Sequence, residues 1–148
     1  MCPMTEAMLY AAARAQHVAQ VIRPALSAGK IVICDRFVDS SIAYQGYGRG
    51  LGEAVSVIND YAVCGCLPDV TFLMKMDPRV GRRRINVQQQ DRLEREKDDF
   101  HVRTYEGYLE LEKKYPGRIV GIDAARSIEE IKIDIYKKLE EVLKGVTE

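Results

Sequence analysis

The 148 residues predict an α/β fold with a parallel sheet flanked by helices. Three observations carry this expectation. Long amphipathic stretches alternate with short apolar runs rich in β-branched residues, which is the pattern of strands joined by helical crossovers. The runs are apolar throughout rather than alternating, as strands covered on both faces are. Each ends in charged residues, namely Asp35-Arg36, Lys75 to Asp77, and Asp123-Ala124. The C-terminal ends of parallel strands are where such folds bind ligands.

The elements follow in order. Thr5 to Ala28 reads as a long helix, with Thr5 as its cap and Pro3 just before it. Its apolar residues Met8, Leu9, Ala12, Ala15, Val18, Val21, Ile22 and Leu26 recur at helical spacing. Pro24 is placed to bend it and Gly29 to stop it. Ile31 to Cys34 reads as a buried strand, Phe37 to Gly52 as a glycine-rich connector, and Glu53 to Cys64 as a second helix. Val70 to Met74 is the next strand. Pro78 opens a short basic helix, Arg92 to Lys114 forms a longer one, and Arg118 to Ile122 is a further strand. Ser127 caps a last helix to about Lys144, with Glu129 and Glu130 in its first turn.

Composition narrows the function. Lys plus Arg number 22 and Asp plus Glu number 22, so the net charge is zero and a general nucleic-acid or membrane-surface binder is not expected. No apolar run has the length of a membrane span, and no basic stretch leads into an apolar one at the N-terminus. Cys2, Cys34, Cys64 and Cys66 include one C-x-C but no second pair to complete a zinc site. They read as free thiols of a reducing, cytoplasmic compartment.

Three groups of residues suggest chemistry. Asp35-Arg36 lies at the mouth of the first apolar run, where an arginine fork suits a phosphate and an aspartate can hold a hydrated Mg2+. A structural ion pair fits the same residues equally. Tyr10 and Arg14 are four apart, hence on one helical face, where they could stack on a base and reach its surroundings. An arginine lying over an apolar surface is the alternative. Arg79, Arg82, Arg83, Arg84, Arg92 and Arg95 form a basic segment that could close over a polyphosphate, or could be a solvated helix with salt-bridge pairs. Between the first two groups, Ser40-Ser41-Ile42-Ala43-Tyr44-Gln45-Gly46 offers hydroxyls, a phenol and an amide that could edge a planar base.

Taken together the chain resembles the thymidylate kinases, members of the P-loop nucleoside-monophosphate kinases. The resemblance rests on Ala13 to His17, Asp35-Arg36, Ser40 to Gly46, Asp91-Arg92-Leu93-Glu94 with Phe100, Arg103 and Tyr108, and Ile122-Asp123-Ala124, all in the family's order. It implies a P-loop NTPase-like fold, a single domain over residues 1–148 with a lid at approximately 79–97, and ATP-dependent phosphorylation of dTMP to dTDP in dTTP synthesis. The roles it implies are these. Tyr10 would stack on thymine, Arg14 would reach the base, and Arg36 would bind the dTMP phosphate. Ser41, Tyr44 and Gln45 would line the nucleoside pocket, with a phenol excluding a ribose 2'-OH. Arg84 and Arg92 would stabilise the transferred phosphoryl and contact ATP. Asp123 and Ala124 would border adenine, and Asp35 would lie near Mg2+ through water. A cytoplasmic homodimer is the family's usual form.

Two departures accompany the resemblance. Asn86 and Gln88 stand where bacterial members often carry further lid arginines. The family's opening strands and its G-x-x-x-x-G-K-[ST] are not found in the 148 residues, and Gly29-Lys30-Ile31 does not replace them. The fold is therefore expected to be incomplete at the N-terminus. Ile31–Cys34 and Val70–Met74 are expected to lack the strand that would lie between them. A polypeptide of these residues alone is expected to be inactive, because nested backbone N–H groups and a lysine for the ATP phosphates are missing. A non-catalytic nucleotide-binding or dimer-forming remnant is the alternative reading.

Overall fold

The computed structural model describes residues 1–82 and 92–144. The chain packs as two compact units. One comprises Met1–Leu67 with Asp99–Tyr108, and the other Pro68–Asp98 with Leu109–Glu148.

The first unit is helical. Helix α1 (Pro3–His17) starts two residues before Thr5, with Cys2 as its cap and Pro3 in its first turn. Proline fits there because the missing N–H has no intrahelical partner in any case. The helix continues through a π-helical turn, Val18–Ile22, into α2 (Arg23–Ser27). The Arg23 N–H reaches back five residues to the Val18 carbonyl. Pro24 accounts for this widening: it has no N–H to give to residue 20, and its ring would strike that carbonyl in an α-helical turn. The bend expected at Pro24 thus takes the form of a π turn. Gly29, at φ 70°, ends the helix, with Lys30 N donating to the Ala25 carbonyl.

The run Ile31–Cys34 is not a strand. It has no ladder partner among the described residues, and Ile31 and Ile33 are 73% and 92% exposed. β-branched residues favour extended backbone, but a strand exists only where a neighbour takes its N–H and C=O groups. Val32 alone packs inward, beside a core of Val18, Ile22, Val38 and Val63. The expected connector is also ordered. It forms α3 (Val38–Ser41), which runs into a second π-helical segment, Ile42–Gly48, and α4 (Glu53–Val63) follows. Alternating buried positions in a Gly-containing stretch concealed this helical path from a reading of residue types.

The first unit also includes residues 99–108 of α6 (Asp98–Lys114). That helix was expected from Arg92. Residues 92–95 form a turn instead, and Lys97 caps the helix in extended backbone at ψ 159°. Two close approaches seat α6. A Cβ on Gly48 would lie 2.6 Å from Thr104 Oγ1 and 2.7 Å from the Phe100 ring, and one on Gly107 would lie 2.6 Å from the Tyr47 ring. Only glycine lets these backbones come so near.

The second unit holds β1 (Thr71–Lys75) and β2 (Ile119–Asp123), each one residue further along than expected at both ends. They pair in parallel, with Thr71 opposite Ile119 and Lys75 opposite Asp123. Phe72 pairs with Val120, and Ile33 is in no ladder among the described residues. At the C-terminal end of the strands Lys75 Nζ donates to both Glu112 oxygens, at 2.9 and 3.1 Å. The short basic helix is α5 (Pro78–Arg82). The last helix, α7 (Ile128–Lys144), begins as expected at Ser127. Ser127 N donates to Glu130 at 3.0 Å and Glu130 N to Ser127 Oγ at 3.4 Å, a reciprocal capping box. Among the described residues, no helix is long and apolar enough to cross a membrane.

Candidate functional site

The first unit brings several of the expected residues together. Arg36 sits where the chain leaves the unpaired Ile31–Cys34 run and turns into α3. Its φ of 66° is a left-handed conformation that arginine adopts at a cost. Such backbone persists where surrounding contacts hold it, and here they come from Tyr44. Arg36 NH1 donates to Tyr44 Oη at 3.0 Å, and the guanidinium lies 5.3 Å from the Tyr44 ring centroid. Partial burial works against the Arg36 charge. The phenol groups of Tyr44 and Tyr108, together with Asp35, outweigh it and hold the guanidinium above the ordinary arginine range.

Tyr44 is itself fixed on two sides. Its ring meets Phe100 edge-on at 5.9 Å and Tyr108 at 6.3 Å. Tyr108 Oη donates to Ser40 Oγ at 2.8 Å. Burial pushes the Tyr108 phenol up to about 12, against an ordinary value of 10.0. The folded state therefore keeps a proton that the unfolded chain releases above pH 10. The stability this contributes is fully present below about pH 10 and is lost as pH rises through about 12. Denaturant unfolding at successive alkaline pH values should show the folding free energy falling across this window by about 2–3 kcal/mol. Tyr108→Phe should flatten that fall, and an unchanged pH slope in the variant would refute the assignment.

Arg14 lies next to this group. One of its guanidinium nitrogens donates to Asn59 Oδ1 and the other to the Phe37 carbonyl at 3.1 Å. The guanidinium also lies 5.5 Å from the Phe37 ring centroid. Burial lowers the pKa of Arg14, and the charge of the buried Asp39 opposes that. Arg14 is thus built into the fold rather than stretched over its surface. Tyr10, one turn earlier on α1, is exposed. Ser41 is buried, and so is Gln45, whose Nε2 donates to Glu6 at 2.8 Å. Asp35 is exposed beside Arg36.

The remaining candidates belong to the second unit. Asp123 ends β2 exposed, and its Oδ1 accepts the Ala125 N–H at 2.9 Å. The Ala124 N–H is given to the Lys75 carbonyl at 2.9 Å. Arg92 is exposed within the turn at 92–95. Arg84 lies outside the described residues.

Residue types alone did not single out Glu6, Arg49 or Asn59. Asn59 carried a signal: it is the one polar residue among Val55, Asn59 and Val63, the buried positions of α4. A buried amide on an apolar stripe needs a partner, and here it meets Arg14. Glu6 and Arg49 lie 43 residues apart and form an ion pair at 3.2 Å that only folding brings about.

Comparison with known proteins identifies the family. The thymidylate kinase family model matches residues 1–135. A thymidylate kinase of Halalkalibacterium halodurans is 47% identical over 147 residues, covering 97% of this chain and 70% of the relative. One from Lactobacillus helveticus is 52% identical over 143 residues, covering 94% and 68%. One from Thermoanaerobacter pseudethanolicus is 49% identical over 140 residues, covering 92% and 69%. A match of this extent places the protein in the thymidylate kinase family, the enzymes that phosphorylate dTMP with ATP as co-substrate.

Proposed function

We propose that the first unit forms the dTMP side of the reaction, with Arg36 on the phosphate, Arg14 towards the base and Tyr10 stacking on thymine. The observation that carries this reading is the Arg36–Tyr44 pair. A guanidinium already oriented by a phenol loses little entropy on taking up a phosphate, and its remaining N–H groups can donate two parallel bonds. In this proposal the Tyr44 ring edges the nucleoside sugar and its hydroxyl disfavours a ribose 2'-OH. Ser41 and Gln45 back this wall from inside.

In the transfer itself a dTMP phosphate oxygen attacks the ATP γ-phosphorus and ADP leaves. Little covalent chemistry is required of the protein beyond positioning and stabilising charge. Arg92 and Arg84 are proposed for the charge on the transferred group, and Asp123 with Ala124 for the adenine side. Asp35 is a single exposed carboxylate, and the described residues hold no group of three or more potential ligands. That fits Mg2+ held mainly by water and substrate phosphates, with Asp35 touching its hydration shell, and does not fit a site made by protein alone. This reading treats residues 1–148 as one kinase domain with a lid near 79–97, in a cytoplasmic homodimer.

A Tyr44→Phe substitution tests the sugar wall. It removes the hydroxyl that Arg36 holds and keeps the ring packed on Phe100 and Tyr108. Calorimetric titration should show dTMP binding weakened at least about tenfold, since a charge-assisted hydrogen bond is worth about 1.5–3 kcal/mol and every 1.4 kcal/mol is about tenfold. The preference for dTMP over its ribose counterpart should shrink as well. A variant that keeps the full preference would remove Tyr44 from this role.

A further inference from the structure

Glu6 is a carboxylate only 2% exposed, in the first turn of α1. A charge so deep is tolerated only when donors surround it. Gln45 Nε2 donates to Oε1 at 2.8 Å, Arg49 Nε to the same oxygen at 3.3 Å, and Arg49 NH2 to Oε2 at 3.2 Å. Because a carboxylate only accepts, it also dictates which end of the Gln45 amide faces it. Gln45 lies within, and Arg49 just beyond, the π-helical segment Ile42–Gly48 that carries Tyr44. A widened turn containing two glycines is weak by itself, so tertiary ties at its centre and its C-terminal end are needed to hold it.

The tie continues towards the phosphate. The Arg49 guanidinium lies 4.7 Å from the Phe100 ring centroid, Phe100 meets Tyr44 edge-on at 5.9 Å, and Tyr44 Oη accepts from Arg36 at 3.0 Å. We propose that Glu6 is a positioning residue for the dTMP phosphate site, setting Arg36 through Arg49, Phe100 and Tyr44 without touching substrate. The inference rests on Arg36 as the phosphate ligand.

The test compares the unaltered chain with Glu6→Gln, which keeps shape and removes charge. dTMP and deoxythymidine are titrated by calorimetry, and exchange of the Arg49, Leu51 and Gly52 amides is followed. Those N–H groups bond to the Tyr44, Gln45 and Gly46 carbonyls. The expected result is at least a tenfold loss of dTMP affinity with less than a threefold loss for deoxythymidine. Exchange of the three amides should quicken about tenfold while α4 is unaffected. Equal losses for both ligands, or looser amides with undiminished dTMP affinity, leave Glu6 a structural residue and overturn the proposal. Should Glu6→Gln fail to fold, Arg49→Lys removes the fork and the flat stack while keeping charge, and the same ratio decides. An unaltered chain with no affinity for dTMP overturns the reading of the site, and this inference with it. dTMP bound equally by parent and variants overturns the inference alone.

Discussion

Replacing Arg36 by alanine is expected to lower dTMP affinity by between about tenfold and about 150-fold. A charge-assisted contact to phosphate is worth about 1.5–3 kcal/mol, and every 1.4 kcal/mol is tenfold. The same loss should appear in kcat/KM in any enzyme form that joins these residues to a phosphate-binding loop. Tyr44 loses its donor in the variant, but its ring remains held by Phe100 and Tyr108, so the fold should survive. The left-handed backbone at position 36 costs alanine about as much as arginine, and the effect should therefore lie in binding rather than stability. Arg36→Lys should recover only part of it, because an ammonium cannot donate two parallel bonds. An alanine variant within about threefold of the parent, under roughly 1 kcal/mol, would show that Arg36 does not hold the phosphate.

Gly48→Ala is expected to destabilise the first unit by about 1–3 kcal/mol, the usual cost of forcing atoms into a filled interior. The new Cβ would meet Thr104 Oγ1 at 2.6 Å and the Phe100 ring at 2.7 Å. Neither neighbour moves easily. Thr104 is tied to the Phe100 carbonyl at 2.8 Å, and Phe100 lies between Tyr44 and Arg49. Arg103 adds a bond to the Gly48 carbonyl at 3.0 Å, so the segment cannot simply back away. The strain should therefore reach Tyr44 and weaken dTMP binding as well as folding. Gly117→Ala supplies the control, since nothing lies within 4 Å of its added Cβ, and a change of at most about 0.5 kcal/mol is expected there. Equal urea midpoints for the two variants would mean that α6 does not seat on Gly48 as described.

The amino-acid sequence by itself determined the α/β class, the two parallel strands to within a residue, and the α7 cap at Ser127. These are local matters: periodicity, β-branched runs and capping chemistry act over a few residues. It also determined the family, because Arg14, Asp35-Arg36 and Ser40 to Gly46 are read in order along the chain. Tertiary structure alone decided the fate of Ile31–Cys34. Its residue types ask for a strand, and pairing, which another segment must supply, is absent there among the described residues. Tertiary structure also decided that residues 42–48 wind into a π-helical segment, since the ties of Gln45 and Arg49 to Glu6 span about forty residues. The Arg14–Asn59 bond and the Glu6–Arg49 pair were invisible for the same reason. A buried polar group and its partner satisfy each other across the fold, and no spacing along the chain records which partner that will be.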